Sequence, residues 1–161
     1  MTQSTASTVF TSPFGPLQLH SNGTALTRIL LPSQIAATDS NSEHHLDDVL
    51  QEASREFQAY FDGQLTEFTI PLEPETGTTF QREVWAALRQ IPVGTTISYS
   101  TLATQIGRPK AVRAVGAANG RNPLPIIVPC HRVIGADGSL TGYAGGVQLK
   151  QQLLSHEKQW R

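Results

Sequence analysis

A short stretch rich in proline and glutamate, at residues 71–75, divides this chain into two parts of opposite charge. The first part holds two basic and ten acidic residues, a net charge of -8, and the second holds ten basic and three acidic residues, a net charge of +7. Proline beside charged residues is typical of a linker. The sequence therefore predicts two small domains, at residues 1–76 and 77–161, each with its own core.

The positive charge of the second part favours contact with a polyanion such as nucleic acid. The same asymmetry would also serve two domains that attract each other across an interface. The single cysteine cannot form an internal disulfide, and no signal peptide or membrane span is evident in the sequence. We therefore expect a cytoplasmic protein with no membrane association.

The first part has the pattern of an α+β domain made of an antiparallel sheet and one helix. Short strands are predicted at residues 9–11, 17–20 and 25–31, with a hairpin turn at Asn22-Gly23. From Ser42 onward, apolar residues at helical spacing predict an amphipathic helix that stops at Gly63, and a further strand is predicted at residues 68–72.

The second part reads as a mainly helical domain. Thr78 can cap a helix over residues 79–90, and Ser98 can cap a helix over residues 99–106 that stops at Gly107. A third helix is expected to have Pro109 in its first turn and to run to about residue 119. Two short helices around a glycine-containing turn match a helix-turn-helix, with Arg108, Lys110 and Arg113 on or near the presented helix, although a plain packing motif has the same pattern.

The apolar run at residues 126–128 predicts a buried strand that ends at the only cysteine, Cys130. A lone cysteine in such a place can be an inert core residue. His131 and Arg132 follow it directly, however, and nearby positive charge is expected to lower the thiol pKa and favour the reactive thiolate. His131 could then act as a base with Glu157 behind it. Alternatively, His131 caps a turn and Glu157 neutralises an arginine.

At this point the sequence resembles the O6-alkylguanine-DNA alkyltransferases, also called methylated-DNA–protein-cysteine methyltransferases. The resemblance spans residues 79 to 158, whereas the first part matches the family only in outline. The motifs that carry it are Phe80-Gln81, Val84-Trp85, Ile91-Pro92-x-Gly94, Ser98-Tyr99, Leu102-Ala103, Arg113-Ala114-Val115-Gly116, Asn119-Gly120-Arg121-Asn122-Pro123, Pro129-Cys130-His131-Arg132-Val133-Ile134-Gly135, Gly142-Tyr143, Gly145-Gly146 and Leu153-Leu154-x-His156-Glu157.

The resemblance implies a role for each matching residue. Cys130 would accept the alkyl group, His131 would take the thiol proton through a bound water, and Glu157 would support His131. The resemblance also implies that Asn122 shapes the turn beside the active site, that the Tyr99 hydroxyl donates to guanine, and that Arg113 enters the base stack. The residues implied to contact DNA, besides Arg113, are Tyr99, Lys110, Ala114, Gly116 and Arg121. The residues implied to line the substrate pocket are Tyr99, Val133, Tyr143, Ala144 and Gly145.

The fold and function implied are those of a direct-reversal DNA repair protein. A winged helix-turn-helix-like motif would enter the minor groove of double-stranded DNA, and the damaged base would be flipped out of the stack. Alkyl groups on O6 of guanine, and on O4 of thymine, would move irreversibly to Cys130 in a single turnover. No cofactor and no obligate protein partner are expected.

The sequence departs from some relatives in informative ways. The first part has no cysteine, so the structural zinc of some animal members is not expected, and no metal is predicted. Cys130 excludes the non-catalytic class that has tryptophan at this position. Two other functions share the same residues: a cysteine hydrolase or acyltransferase that uses Cys130, His131 and Glu157, and a DNA-binding module in which Cys130 is inert.

Overall fold

The computed structural model describes residues 6–35, 46–140 and 143–159. The chain divides into two compact units, with the boundary between Glu75 and Thr76. The acidic and the basic parts of the sequence therefore lie in separate units, which are described one after the other.

The first unit is an antiparallel sheet with one long helix packed on it. Its strands are β1 (Ala6–Ser12), β2 (Gly15–Ser21) and β3 (Leu26–Leu30), in the order β1-β2-β3. Helix α1 (Asp48–Phe61) begins where the Asp47 side chain accepts a hydrogen bond from the Leu50 amide. Aromatic rings of α1 pack against rings from β1, from the β1–β2 turn and from the segment after α1, so the unit contains an aromatic cluster. The clustered rings belong to Phe10, Phe14, Phe57, Tyr60, Phe61 and Phe68.

The strand expected at residues 68–72 is wrong. Only Leu72 forms a bridge, to Leu26, and the preceding segment is irregular. The reason lies in α1, where the buried carboxylate of Glu56 accepts hydrogen bonds from the backbone amides of Thr69 and Ile70 at 2.9–3.1 Å. Amides that are bonded to a side chain cannot join a strand ladder. The helix start expected near Ser42 falls in residues 36–45, which lie outside the described ranges; within them the helix begins at Asp48, so Leu46 precedes it.

The second unit is mainly helical, as the sequence predicts. A Thr78–Gln81 capping box begins its first helix. A short parallel pair joins β4 and β5, with Ile97 opposite Val133. The elements in chain order are α2 (Thr79–Leu88), β4 (Ile97–Ser98), α3 (Tyr99–Gln105), α4 (Val112–Gly120), one 3-10 turn (Cys130–Arg132), β5 (Val133–Ile134) and α5 (Val147–Lys158).

Helices α3 and α4 form the helix-turn-helix, with one correction at its turn. The Ser98 side chain caps α3 as predicted, and Gly107 ends it with a φ of +77°. Helix α4 begins at Val112 and not at Pro109, because Ala111 lies outside helical geometry and its amide bonds the Arg108 carbonyl at 2.9 Å. Pro109 and Lys110 therefore belong to the connecting turn.

The β4–β5 pair brings the active-site segments together. Tyr99 begins α3 directly after β4, and the 3-10 turn that starts with Cys130 runs directly into β5. Because Ile97 lies opposite Val133 and Ser98 lies opposite Ile134, Tyr99 and the Cys130 turn are each within a few residues of this pair.

Candidate active site

The segment before Cys130 is a tight turn, so the strand expected at residues 126–128 is wrong. The Val128 amide bonds the Leu124 carbonyl at 2.9 Å, and Ile126 has a φ of 75°, which is strained for a β-branched residue. Asn122 holds the turn closed: its side chain donates to the Val128 carbonyl at 2.8 Å and accepts from the Leu124 amide at 2.9 Å. The segment also contains three prolines, at positions 123, 125 and 129, and proline lacks the amide hydrogen that a β-sheet hydrogen bond needs.

Cys130 is buried at the start of the 3-10 turn, with 5% of its surface exposed. Burial raises the pKa of its thiol to about 11, although a hydrogen bond from Asn122 and the positive charge of Lys150 oppose this. The expectation of a lowered thiol pKa is therefore wrong in sign. The reason is that loss of solvation of the thiolate outweighs the nearby positive charge. At neutral pH the free protein holds a protonated thiol, and a base must take its proton.

His131, Glu157 and Arg132 form a buried hydrogen-bonded group next to this thiol. The Nε2 atom of His131 lies 2.7 Å from Oε2 of Glu157. Arg132 donates two hydrogen bonds to the same carboxylate, from Nε to Oε1 at 2.8 Å and from Nη2 to Oε2 at 2.9 Å. Its Nη1 donates a third, to the Ile91 carbonyl at 2.6 Å. Glu157 therefore contacts the histidine and also neutralises an arginine.

This arrangement leaves one nitrogen of His131 able to accept a proton. Burial lowers the pKa of His131, and the ring is neutral. Burial alone would raise the pKa of Glu157, but its contacts with His131 and Arg132 outweigh that effect and hold the pKa well below the ordinary value. The ionised carboxylate then accepts from Nε2–H. The other nitrogen, Nδ1, is buried and has no hydrogen-bond partner among the described residues.

Two tyrosines supply hydroxyl groups near Cys130. Tyr99 is half-buried, and burial together with a negative charge on Cys130 would raise its pKa, against a hydrogen bond from Asn119. Tyr143 is buried, its hydroxyl has no hydrogen-bond partner among the described residues, and burial raises its pKa well above the ordinary value. Both phenols therefore stay protonated at neutral pH and can donate hydrogen bonds.

The other residues predicted for the pocket lie in β5 and in the turn before α5. Val133 is fully buried at the start of β5, and its carbonyl faces the interior. Ala144 is exposed and Gly145 is half-buried in the turn between Tyr143 and α5, where the Gly146 amide bonds the Tyr143 carbonyl at 3.0 Å. Gly142, part of the same motif, lies outside the described residues.

The residues predicted to meet DNA lie mostly on the open side of the helix-turn-helix. Arg113 and Ala114 are exposed on α4, Lys110 is exposed in the preceding turn, and Arg121 is exposed just after α4. Gly116 lies against the Tyr99 ring, since a Cβ atom built there would be 3.9 Å from Tyr99 Cδ1. Ala118, on the same helix, faces the core, and its carbonyl accepts a hydrogen bond from the Trp85 indole at 2.9 Å.

Comparison with known proteins gives this arrangement a family. The family model described as 6-O-methylguanine DNA methyltransferase, DNA binding domain, matches residues 79–159. The model described as 6-O-methylguanine DNA methyltransferase, ribonuclease-like domain, matches residues 6–74. This chain belongs to the 6-O-methylguanine DNA methyltransferase family. The match covers both units, including the first, for which the sequence alone gave only an outline.

Individual relatives of this methyltransferase are similar over nearly their whole length. The methylated-DNA–protein-cysteine methyltransferase of Methanosarcina acetivorans is 49% identical over 92% of this chain and 96% of that relative. A crystal structure of Mycobacterium tuberculosis O6-methylguanine methyltransferase has a TM-score of 0.88 at 45% identity, covering 98% of this chain and 95% of that one. The M. tuberculosis OGT in complex with DNA has a TM-score of 0.85 at 48% identity, covering 94% and 92%.

Lys150 of this methyltransferase is a buried cation that sequence reasoning missed. Its side chain is fully buried, its Nζ donates to the Val133 carbonyl at 2.6 Å, and Nζ lies 5.9 Å from the centroid of the Tyr99 ring. The signal was available in the sequence, because Lys150, Leu153 and Glu157 follow helical spacing on one face of α5. A lysine on the apolar face of a helix indicates a buried charge with a specific partner.

No cluster of three or more histidine, cysteine or acidic side chains in the described ranges could hold a metal ion. Within the same ranges, no helix has the length and apolar character needed to cross a lipid bilayer.

Proposed function

We propose that this protein repairs DNA by moving a methyl or other alkyl group from O6 of guanine, and from O4 of thymine, onto Cys130. The observation that carries the proposal is the buried Cys130 thiol beside a His131–Glu157–Arg132 group, in a unit that matches the family's DNA-binding domain. Relatives at about half identity bear the name methylated-DNA–protein-cysteine methyltransferase. The partner in this reaction is double-stranded DNA that contains the alkylated base.

The proposed reaction begins with loss of the thiol proton. His131 accepts it at Nδ1, directly or across one water molecule, and the imidazolium that results is stabilised by the Glu157 carboxylate. The Cys130 sulfur then bonds to the alkyl carbon while the bond from that carbon to O6 breaks, and its electron pair passes to the guanine. Tyr99 donates a hydrogen bond to the departing base. The released guanine gains one proton, which balances the proton lost by the thiol.

The product of this reaction explains why each molecule would act once. An acyl group on a cysteine has a carbonyl that water can attack, but an alkyl thioether has none. No step in the proposal regenerates the thiol, and the chain's own side chains supply all of its chemistry. No cofactor enters the reaction.

A titration against O6-methylguanine duplex tests this function. A fixed amount of protein is incubated with increasing duplex, and the remaining O6-methylguanine is counted after the reaction is complete. We expect repair to stop at one guanine for each protein molecule, because the thioether is permanent. Continued turnover beyond one equivalent, or hydrolysis of small thiol-reactive esters with a burst and a steady phase, would favour a cysteine hydrolase instead.

The proposed DNA contact places α4 of the helix-turn-helix in the minor groove. A buried thiol cannot reach an alkyl carbon inside the base stack, so the base must be flipped out at a cost of a few kcal/mol. Arg113 would fill the gap that remains in the stack. The small residues Ala114 and Gly116 would allow the helix to approach the groove walls, and the exposed cations Lys110 and Arg121 would contact phosphates.

Arg113→Ala is expected to slow repair of duplex far more than alkylation by free O6-benzylguanine. Free base has no stack to fill, so only the duplex reaction depends on the inserted side chain. Single-turnover rates on both substrates, at duplex concentrations that saturate binding, measure the difference. Arg121→Ala is the matched comparison, since loss of a phosphate contact weakens affinity but is overcome by excess duplex. Equal losses on both substrates would show that Arg113 serves the fold or the chemistry.

The proposal also places the protein in the cytoplasm. A free thiol that must stay reduced in order to work suits a reducing compartment. Fractionation of cells followed by detection of the protein would test this location, and recovery of the active protein from an oxidising compartment would contradict it.

A further inference from the structure

A buried ammonium group at Lys150 is unusual enough to require a reason. Removing a charge from water is costly, and a leucine or methionine at this position of α5 would fill the same space without that cost. The charge is satisfied by one hydrogen bond, from Nζ to the Val133 carbonyl at 2.6 Å, and by the face of the Tyr99 ring. Val133 directly follows the Cys130 turn, and Tyr99 directly follows β4, the strand that pairs with Val133.

In the described part of the chain, the titratable groups that interact with Lys150 belong to the candidate active site. Tyr99 faces it from α3, and Cys130 and His131 interact electrostatically with it from the 3-10 turn. On its own helix, Glu157 is engaged by His131 and Arg132. Within residues 6–35, 46–140 and 143–159, Lys150 forms no ion pair with a carboxylate. Burial lowers its pKa, while a thiolate at Cys130 would raise it, so the ammonium form and the thiolate stabilise each other.

We propose that Lys150 is a positioning residue for alkyl transfer: its ammonium group, fixed on the Val133 carbonyl, holds the Tyr99 ring by a cation–π contact and stabilises negative charge on Cys130. The inference rests on the proposed function and adds to it a second source of positive charge beside His131. Tyr99 has to present its hydroxyl to the substrate, and the contact of Lys150 with the ring face fixes the plane of that ring. The same cation favours the thiolate, which the burial of Cys130 opposes.

The test compares Lys150→Met, which removes the charge at similar size, with Lys150→Arg, which keeps it. Lys158→Met, an exposed lysine on the same helix, is the matched control. Two rates are measured for each protein between pH 7 and pH 10. One is alkylation of Cys130 by iodoacetamide, which reports the thiolate fraction without any guanine. The other is single-turnover transfer from O6-benzylguanine, followed by intact mass.

Below the thiol pKa the iodoacetamide rate rises tenfold for each pH unit, so a plot of log rate against pH is a straight line. A higher thiol pKa displaces this line to higher pH. We expect Lys150→Met to displace it by roughly one pH unit or more, and to slow benzyl transfer at pH 7 by roughly tenfold or more. Both rates of Lys150→Arg should lie much nearer to those of the wild-type protein, and both rates of Lys158→Met should equal the wild-type rates. Loss of Lys150 also removes a positive charge that lowers the pKa of His131, and this second change acts on the transfer rate as well. The iodoacetamide rates therefore decide whether Lys150 stabilises the thiolate.

A Lys150→Met protein with the wild-type iodoacetamide line and the wild-type transfer rate would overturn the inference. If Lys150→Met fails to fold, Lys150→Gln, which keeps a donor for the Val133 carbonyl but no charge, should show the same displacement, and a wild-type line would overturn the inference equally. Failure of the proposed function is a separate result. In that case wild-type protein gains no benzyl group, while the iodoacetamide comparison still reports whether Lys150 acts on the thiol.

Discussion

Cys130→Ala and Cys130→Ser are expected to abolish alkyl transfer and to leave duplex binding largely intact. The chain has no other cysteine, so no second thiol can accept the group. A serine hydroxyl is a far weaker nucleophile toward an alkyl carbon than a thiolate, even with His131 beside it. The DNA contacts proposed for α4 do not involve the thiol. Transfer from a labelled O6-methylguanine duplex and binding of the same duplex measure the two effects.

Melting temperature provides the control for both Cys130 variants, since a buried site tolerates the smaller serine or alanine only with some loss of packing. A folded variant that still removes the methyl group from guanine would show that another residue accepts it. A folded variant that has lost duplex binding would show that Cys130 belongs to the DNA contact.

Glu157→Gln is expected to slow alkyl transfer by roughly a hundredfold or more, the range for lost general-base support. It should also lower thermal stability. Glu157 holds two buried groups, His131 at 2.7 Å and Arg132 at 2.8 Å, and Gln leaves the guanidinium without a countercharge. Loss of one partner of a buried ion pair costs about 3–5 kcal/mol. Single-turnover rates and melting temperatures over a pH series measure both consequences.

The pH dependence separates the two roles of Glu157. Its pKa in the folded protein lies below the ordinary value of 4.5, so its contribution to stability is present above that pH and is lost as the pH falls. This acid-dependent loss should be absent from Glu157→Gln. Glu83→Gln is the matched control, since Glu83 pairs with Arg108 at 3.3 Å on the surface and such pairs contribute little. An unchanged transfer rate with an unshifted pH profile would remove Glu157 from the mechanism.

Much of the candidate site could be predicted because its signals are local in sequence. Cys130, His131 and Arg132 are consecutive, and Ser98 and Thr78 cap helices through side chains that act over three residues. The role of Glu157 stayed open between two alternatives, because it lies 26 residues from His131 in the sequence and only the packing of α5 against the 3-10 turn shows their contact. Helical spacing then places Glu157 on the buried face of α5.

The features that could not be predicted depend on burial and on competition for backbone groups. Neighbours of Cys130 in sequence suggested a lowered thiol pKa, but desolvation by the surrounding core has the larger effect. The apolar run at residues 126–128 has strand composition, yet the Asn122 side chain and the flanking prolines turn it into a loop. Glu56 likewise captures the amides that a strand at residues 68–72 would need.

Intact mass before and after incubation with O6-methylguanine duplex shows whether Cys130 accepts the alkyl group. We expect the wild-type protein to gain one methyl group and no more in the presence of excess duplex, and peptide mapping to place that group on Cys130. The guanine in the recovered duplex should be unmodified. A protein whose mass is unchanged while the duplex is repaired, or a methyl group found on another residue, would show that Cys130 is not the acceptor.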